Sequence, residues 1–444
     1  MDRIKLSDHF TYKRILRFTL PSMAMMVFVS IYGAVDGYFV SNFVGTTAFA
    51  ALNLIMPFIM VVSACGFMMG AGGNAIIGKT LGEGRQEQAK RYFSFFIWAT
   101  LIMGIVFSIL GVIFMEPIAE LLGAEGNTLR LCVIYGDISM VSMPMFMIQY
   151  LFQSFFIAAE KPGMGFKVTV VAGCTNMVLD AVFVGLLGWG LAGAAWATVT
   201  SEYVGGIIPL VYFARKNDST LQIVRTKFYG RAFVKACTNG SSELVSNIAM
   251  SFIAVVFNWQ LLKYAGENGV AAYGVLMYVS FLFYAVFMGY CSGSAPVISY
   301  NYGSGNSDEL KNLFQKSIKL MSVGGVIMTV LGIVTAVPVC SFFVGYDQEL
   351  LDMSVNGYRI YSFTYLLMGV GAFGSSMFTA LNNGIISAVI SGVRTFVFRL
   401  SAVLLLPLAF GINGIWLSTC VAEVFSFFLV LYFFAANRMK YKYL

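Results

Sequence analysis

Long uninterrupted apolar runs are the feature that most limits how this chain can fold. Twelve such runs follow one another, and each is close to the roughly 20 residues that an α-helix needs to cross the hydrocarbon core of a bilayer. They cover residues 18–40, 50–78, 93–115, 131–157, 168–187, 190–213, 236–261, 270–300, 318–343, 357–381, 385–408 and 413–436. Only 11% of the residues are charged, against roughly 25% in soluble globular domains. We therefore predict an all-α integral membrane protein with twelve transmembrane helices.

Basic residues indicate which side of the membrane each connection faces. If the N-terminus is cytoplasmic, the external connections contain only Arg130, Lys263 and Arg359, whereas most other Lys and Arg residues are inside. Because cytoplasmic connections carry the excess of positive charge, we predict that both termini are cytoplasmic and that the protein crosses the plasma membrane many times. This bias also explains the net charge of +7, so we predict no nucleic-acid partner.

The distribution of cysteine and histidine argues against a metal centre or an enzyme. The seven cysteines occur singly within or at the ends of apolar runs, and no CxxC stretch exists, so neither a zinc site nor a disulfide framework is predicted. The only histidine, His9, precedes the first helix, which leaves no nucleophile and base pair within the membrane. No GxxxxGK[ST] loop for nucleotide phosphates exists either. We predict a protein that is not an enzyme and has no cofactor.

An internal repeat spans the whole chain. The stretch GEGRQEQAKRYF at residue 82 aligns with GSGNSDELKNLF at residue 303, a separation of 221 positions, and the same separation relates GLAG at 190 to GING at 411. Each half holds six helices, an even number, so both halves insert with the same orientation, as in known transporters built from parallel repeats. We predict an N-lobe over residues 1–213, a cytoplasmic linker over 214–235 and a C-lobe over 236–444.

Polar residues that occur in only one half are the better candidates for function, because residues common to both halves serve the shared fold. At a separation of 221, Asp36, Asn176 and Asp180 correspond to Phe257, Val397 and Ser401. Glu202 and Glu423 correspond to each other, and for this pair we favour a structural role.

The unmatched N-lobe residues can meet at one depth in the membrane. Asn176 and Asp180 are four positions apart and share a face of helix five, whereas Asp36 lies near the outer end of helix one and Thr198 in the outer half of helix six. A charged side chain in hydrocarbon costs at least about 2.5–3.5 kcal/mol, so it normally faces a cavity or a partner. No Lys or Arg lies at that depth in the N-lobe, which leaves a bound cation or a proton.

We interpret Asp36 as a carboxylate that couples cation binding to transport. The alternative is a buried, permanently protonated Asp that hydrogen-bonds to a neighbouring helix. If Asp36 and Asp180 converge in a dry site, both cannot stay ionised without a cation. A proton would neutralise the pair, and sodium would do so by ligation to oxygens, with Asn176 and Thr198 completing its shell.

Several motifs resemble those of the MATE (multidrug and toxic compound extrusion) transporters, and the resemblance covers essentially the whole chain. They are TLPS at residue 19, VDGYFVSNFVG at 35, KTLGEGR at 79, NMVLD at 176 and APVISYNYGSG at 295. The ISYNYG stretch at 298 and the basic helix after it are similar to the bacterial MepA-like branch. The resemblance implies two six-helix lobes around a central cavity, with alternating access driven by sodium or proton entry.

The resemblance also assigns roles to individual residues. The N-lobe cation site of the family maps onto Asp36, Asn176, Asp180 and Thr198, with sodium as its possible bound ion, and Pro21 falls where related transporters have a helix-one proline that permits bending. A proline inside a helix removes a backbone hydrogen bond and can kink it, so Pro21 is either a hinge or a static kink.

The C-lobe departs from the family pattern. Some members place acids deep in helices seven and ten, whereas here helix seven carries Glu243 near its cytoplasmic start and helix ten carries none. The remaining polar candidates are Asn258, Arg394 and Arg399. Glu243 and Arg394 lie at similar depths from the cytoplasmic side of the membrane, so we expect an ion pair between them. For this pair we favour a structural role over a substrate role.

We therefore predict a monomeric secondary antiporter of a bacterial plasma membrane that exports amphipathic organic compounds in exchange for H⁺ or Na⁺. The 25 Met and 41 Phe residues suit an adaptable apolar binding surface, although such residues also fill any membrane core. The alternative is a flippase or exporter for lipid-linked saccharides or another specific metabolite. Such a site should present several basic residues to the central cavity, and only Arg394 and Arg399 qualify.

Overall fold

The computed structural model describes residues 4–443, apart from the side chains of Ala34, Ser41 and Thr46, and most of these residues are helical. The ends of the two predicted lobes, residues 1–3 and 444, lie outside the described residues. The first six helices are α1 (Tyr12–Phe39), α2 (Thr46–Gly82), α3 (Gln86–Leu121), α4 (Gly126–Ala158), α5 (Pro162–Asp180) and α6 (Gly190–Ala214). The next six are α7 (230–265), α8 (267–303), α9 (Ser307–Val344), α10 (Gln348–Ser362 and Tyr365–Ala380), α11 (Gly384–Phe410) and α12 (Ile412–Tyr441).

The segment Gly230–Gly303 contains two helices, because the chain reverses at Gly266. The backbone there has φ 62° and ψ −152°, a conformation that glycine adopts readily and other residues do not. The rings of Phe257 and Tyr273 stack with centroids 5.1 Å apart, although sixteen residues of continuous helix would separate them by about 24 Å. α7 and α8 are therefore antiparallel neighbours, as the predicted runs 236–261 and 270–300 require.

Nine helices of the described chain are long and apolar enough to cross a membrane, counting Gly230–Gly303 as one. A tenth crossing is α10, whose two parts are bent by 48°. The division at Gly266 gives the eleventh helix, and α6, which has 25 residues, is the twelfth by its length alone. The predicted twelve-helix, two-lobe architecture is confirmed. Most helices extend beyond the predicted apolar runs, because their polar ends continue past the hydrocarbon core.

Three π-helical segments occur among the described residues. In a π-helix, backbone hydrogen bonds span five residues instead of four. One follows α1 at Val40–Val44, and another follows α5 at Ala181–Leu186, directly after Asp180. The third, Val393–Arg399, interrupts α11 and contains two arginines. Such segments occur frequently at functional sites, and two of these three adjoin polar residues that the sequence singles out.

The two lobes pack closely at one end of the molecule through glycines of α2 and α7. A Cβ placed on Gly72 would lie 1.9 Å from the carbonyl oxygen of Ala236, and one on Gly240 would lie 1.9 Å from that of Met68. A Cβ added at Gly33 or Gly37, near the other end of α1, would meet no atom within 4 Å. The lobes are therefore closed at the end that the basic residues assign to the cytoplasm.

Both ends of the described chain lie at this closed end. Residues 4–11 precede α1 and form what we call the N-terminal strap. The backbone N–H of Leu6 donates to Glu160 Oε1 of the N-lobe at 2.9 Å, and that of Phe10 donates to Glu309 Oε1 of the C-lobe at 2.9 Å. At the other terminus, the ring of Tyr443 packs 5.0 Å from that of Phe314. The N-terminal strap thus connects the two lobes directly.

The connection between the lobes is shorter than the predicted linker. Residues 215–229 are not helical, whereas residues 230–235 already belong to α7. The backbone N–H of Val224 donates to Ser94 Oγ at 2.8 Å, and Thr226 Oγ1 donates to the carbonyl oxygen of Arg91 at 2.8 Å. The connection is therefore held against the cytoplasmic end of α3.

Candidate functional site

The carboxyl groups of Asp36 and Asp180 meet inside the N-lobe. Asp36 lies one turn before the end of α1 and is half-buried, whereas Asp180 ends α5 and is 0% exposed. The two carboxyl groups are close enough to interact electrostatically. The structure thus brings together the two acids that the sequence singles out.

Asn176 and Thr198 lie beside this carboxyl pair. Asn176 is buried one turn before Asp180 on α5, and its Nδ2 donates to Thr198 Oγ1 of α6 at 3.3 Å. Both carboxylate oxygens of Asp180, Oδ1 of Asp36 and Oδ1 of Asn176 are buried without a hydrogen-bond partner among the described residues. Buried polar atoms normally have a partner. Several oxygens are therefore available to a proton or a small cation.

Glu202 is a third acid in this region, and the sequence reasoning assigned it a structural role because it matches Glu423. It lies on α6 with 6% of its surface exposed, and it interacts electrostatically with Asp36. Ser142 of α4 lies near its carboxyl group. The signal that could have found it is the lack of any Lys or Arg at this depth of the N-lobe, which applies to Glu202 as it does to Asp36.

The N-lobe acids have no basic partner among the described residues, since none of the ion pairs formed there involves Asp36, Asp180 or Glu202. Two tyrosines, Tyr32 and Tyr135, surround the acids and interact electrostatically with them. No three acidic, thiol or imidazole groups of residues 4–443 converge closely enough to hold a metal ion. The donor set therefore suits a proton, or a monovalent cation with amide and hydroxyl ligands, better than a multivalent metal.

Pro21 lies inside α1, which continues through it. The adjoining backbone packs tightly against α8, because a Cβ on Gly289 would lie 2.4 Å from Cα of Met23. This part of α1 belongs to the closed end of the molecule, whereas Asp36 lies near the opposite end of the same helix. Pro21 thus lies within the part of α1 that packs against the C-lobe, fifteen residues before Asp36.

A central cavity of ≈ 220 Å³ lies between the lobes. Its N-lobe wall includes Phe67, Tyr150 and Gln153, and its C-lobe wall includes Glu243 and Tyr284. Tyr150 also interacts electrostatically with Tyr32 and Glu202. Tyr32 and Tyr150 therefore lie between the N-lobe acids and the central cavity.

The expected ion pair between Glu243 and Arg394 is wrong. Arg394 Nη2 instead contacts Glu423 Oε1 at 2.7 Å, and Arg399 Nη2 contacts the same oxygen at 3.1 Å. Similar depth along two helices does not make two residues partners, because the rotation of each helix decides which neighbour its side chain faces. Glu243 is half-buried in the wall of the central cavity, and its carboxylate forms no ion pair with a described residue.

The remaining C-lobe candidate, Asn258, does not join this group. It is exposed on α7 and lines neither the central cavity nor the cavity inside the C-lobe. That second cavity, of ≈ 200 Å³, is bounded by C-lobe helices alone and includes Arg394 and Arg399. The polar chemistry of the C-lobe is therefore basic, in contrast to that of the N-lobe.

Comparison with known proteins gives the same two-part pattern. A model of the MatE family matches residues 21–182 and 244–405. The multidrug export protein MepA of Staphylococcus saprophyticus is 25% identical over 413 residues, which are 93% of this chain and 91% of that protein. MepA of Staphylococcus haemolyticus is 24% identical over 430 residues, which are 97% of this chain and 94% of that protein.

A solved structure has the same fold. The outward-facing conformation of a multidrug resistance MATE family transporter of the MOP superfamily is similar with a TM-score of 0.91 at 22% identity, covering 99% of this chain and 98% of that one. The similarity extends over both lobes.

Proposed function

The chain belongs to the MatE family, and we propose that it is a secondary antiporter that exports amphipathic organic compounds in exchange for H⁺ or Na⁺ bound in the N-lobe. It is a multi-pass membrane protein, and its MepA relatives are named as multidrug export proteins. The proposal extends multidrug export to this chain and adds a cation site formed by Asp36, Asn176, Asp180 and Thr198.

The observation that carries the proposal is the buried carboxyl pair of Asp36 and Asp180, which has no basic partner among the described residues. Two neighbouring carboxylates repel each other, and burial penalises each charge further. Binding one proton or one Na⁺ relieves both costs. The occupancy of this site therefore changes the energy of the conformation that surrounds it, which is the requirement for coupling.

The route from cation to substrate runs along α1. Asp36 lies near one end of this helix, the central cavity contacts its middle at Met26, Val29 and Ser30, and Pro21 lies in the part that packs at the closed end. A change in the charge of the Asp36 site alters the packing of the outer part of α1, and Pro21 allows that part to bend. Substrate in the central cavity would then be released to the outside.

The central cavity suits amphipathic compounds. Its wall is mainly apolar, with Phe67, Phe281 and Met250 among its residues, and it also contains Glu243 and Gln153. Such pockets bind apolar bodies through area and orient them through a few polar groups. The carboxylate of Glu243 has no ionic partner among the described residues, so it can receive the positive group of a cationic substrate.

Reconstitution in proteoliposomes tests the proposal. A pH gradient and a sodium gradient are imposed in separate experiments, and wild-type protein should transport the cationic probe ethidium under one of them. The gradient that drives transport identifies the coupling ion. Asp36→Asn preserves volume and removes the ionisable group, so gradient-driven transport should collapse. Glu120→Gln, which changes an exposed acid at the end of α3, is the matched control and should transport normally. Transport by Asp36→Asn at the wild-type rate would exclude the coupling role.

A further inference from the structure

We propose that the cavity inside the C-lobe is a binding site for the anionic group of an amphipathic aromatic compound, with Arg394 and Arg399 as the residues that hold it. This proposal rests on the proposed export function only where it treats the anionic compound as a second class of substrate. Binding of the compound requires no gradient, so it can be measured without transport. The proposal concerns a cavity of ≈ 200 Å³ that is separate from the N-lobe acids.

The charges around this cavity do not balance. Arg394 donates to Glu423 Oε1 from Nε at 3.0 Å and from Nη2 at 2.7 Å, and Arg399 Nη2 donates to the same oxygen at 3.1 Å. Two cations thus share one carboxylate, which leaves one positive charge in excess. Charges within a membrane normally pair or face a water-filled cavity or a substrate path, and the excess charge here lies in a cavity wall.

The hydrogen bonds are also incomplete. Nε of Arg399 is buried without a partner among the described residues, although a guanidinium has five N–H donors to satisfy. Side-chain exposure is 11% for Arg394 and 18% for Arg399, against 1% for Glu423. The arginines therefore retain donors and some accessible surface on the cavity side, while the carboxylate that holds them is fully enclosed.

Glu243 does not supply the missing negative charge. It forms no ion pair with either arginine, and Tyr284 interacts electrostatically with both Glu243 and Arg394. Glu243 lines the central cavity, whereas the arginines line the C-lobe cavity. An anion that entered the C-lobe cavity would therefore meet the two guanidinium groups with no competing carboxylate from Glu243 bound to them.

The local helix geometry brings the two arginines together. Residues five apart in an α-helix point in directions about 140° apart, given 3.6 residues per turn. Arg394 and Arg399 both lie in the π-helical segment Val393–Arg399, whose wider turn brings residues five apart closer to one face. Their N-lobe counterparts, 221 residues earlier, are Gly173 and Val178. The basic pair is therefore specific to one lobe and is not required by the common fold.

The other walls of the cavity indicate the rest of the ligand. Tyr273, Tyr284 and Tyr361 line it together with Phe257, and aromatic side chains pack well against flat rings. A guanidinium binds a carboxylate or sulfonate through paired, charge-assisted hydrogen bonds. The central cavity shares Met250, Phe281 and Tyr284 with this one, so the two cavities are adjacent. The ligand class is an aromatic carboxylate or sulfonate.

Binding of 2-naphthoate and of its neutral analogue 2-naphthamide to the full chain in nanodiscs tests the inference by calorimetry, with empty nanodiscs as the blank. Naphthoate should bind at least about tenfold more tightly than naphthamide, because only the carboxylate forms charge-assisted hydrogen bonds with the guanidinium groups. Arg399→Gln should remove that preference and leave naphthamide binding unchanged. Arg438→Gln, which changes an exposed arginine near the end of α12, should bind naphthoate as wild type does.

Equal binding of the two compounds by wild-type protein would overturn the inference without any variant, so it stays testable even if Arg399→Gln folds poorly. Unchanged naphthoate preference in a well-folded Arg399→Gln protein would also overturn it. Asp36→Asn should lose gradient-driven transport and keep the naphthoate preference. In wild-type protein, equal binding of the two compounds together with gradient-driven ethidium transport would refute this inference alone. A naphthoate preference without gradient-driven transport would refute only the proposed coupling.

Discussion

Glu202 and Glu423 occupy equivalent positions in the two lobes, 221 residues apart, yet their surroundings have opposite charge. Glu423 accepts three hydrogen bonds from Arg394 and Arg399. Glu202 has no basic partner among the described residues and interacts electrostatically with Asp36. One fold, used twice, thus encloses an acidic site in the N-lobe and a basic site in the C-lobe. This difference in charge leads to distinct predictions for the two lobes.

Removing the charge of these two acids should affect stability very differently. Glu423→Gln leaves two arginines partly buried without a carboxylate, and the loss of one partner of a buried ion pair typically destabilises by about 3–5 kcal/mol. Glu202→Gln removes a negative charge that no cation neutralises, so its stability should match or exceed that of wild type. Thermal unfolding of both variants in detergent, at the same pH and salt, measures the difference. A Glu202→Gln protein that unfolds as early as Glu423→Gln would contradict the assigned environments.

Sodium dependence distinguishes the two possible coupling ions. If Na⁺ binds beside Asp180, NaCl should raise the unfolding temperature of wild-type protein relative to choline chloride, since a ligand at 100 times its Kd stabilises by about 2.7 kcal/mol. Asp180→Asn should abolish that difference, whereas Asp137→Asn, which changes another acid within a membrane helix, should retain it. A site used only by protons should show no difference between the salts in wild type. Sodium stabilisation that survives in Asp180→Asn would place the ion elsewhere.

The closed end of the molecule should not tolerate a side chain at Gly240. A Cβ there would lie 1.9 Å from the carbonyl oxygen of Met68, and backbone cannot move aside as a flexible side chain can. Gly240→Ala should therefore separate the lobes at this end. Gly274→Ala is the control, because a Cβ at Gly274 meets no atom within 4 Å.

Maleimide labelling of Cys237 can report the separation. This half-buried cysteine lies on α7, with its Sγ 3.9 Å from Met69 Sδ of α2. Its labelling rate, read by peptide mass spectrometry against the buried Cys340, should rise several-fold in Gly240→Ala and stay at the wild-type value in Gly274→Ala. Equal labelling rates in wild type, Gly240→Ala and Gly274→Ala would show that closure of the lobes does not depend on the contact between Gly240 and Met68.

The N-terminal strap should favour the same closed arrangement. Leu6 and Phe10 are 1% and 0% exposed, and their backbone N–H groups donate to Glu160 of one lobe and Glu309 of the other. Glu309→Ala removes an acceptor that also receives a 2.8 Å hydrogen bond from Asn312, so the contact between strap and C-lobe should weaken. Labelling of Cys237 should then accelerate, while Glu87→Ala, which changes an exposed acid of α3, should have no effect. Unchanged labelling of Cys237 in Glu309→Ala would show that the N-terminal strap does not help to hold the lobes closed.

The sequence by itself determined the architecture of this protein. The number of spans follows from the length of apolar runs, because each crossing of the hydrocarbon needs about 20 residues with satisfied backbone hydrogen bonds. The two-lobe layout follows from the repeat at 221 positions, which is a property of the linear chain. The same repeat identified Asp36 and Asp180, since a carboxylate without a counterpart in the other half stands out without knowledge of its neighbours.

Only the tertiary structure decided which polar groups meet. Depth predicted that Glu243 pairs with Arg394, but Arg394 faces Glu423, because the rotation of a helix and the side on which its neighbour packs are not encoded in depth. The matched position of Glu202 predicted a structural role and gave no sign of its closeness to Asp36. A spacing of five places Arg394 and Arg399 on different faces of an α-helix, and only the π-helical turn brings both to one carboxylate. Partners of buried charges depend on distances of a few ångströms between helices, and those distances are set when the whole lobe packs.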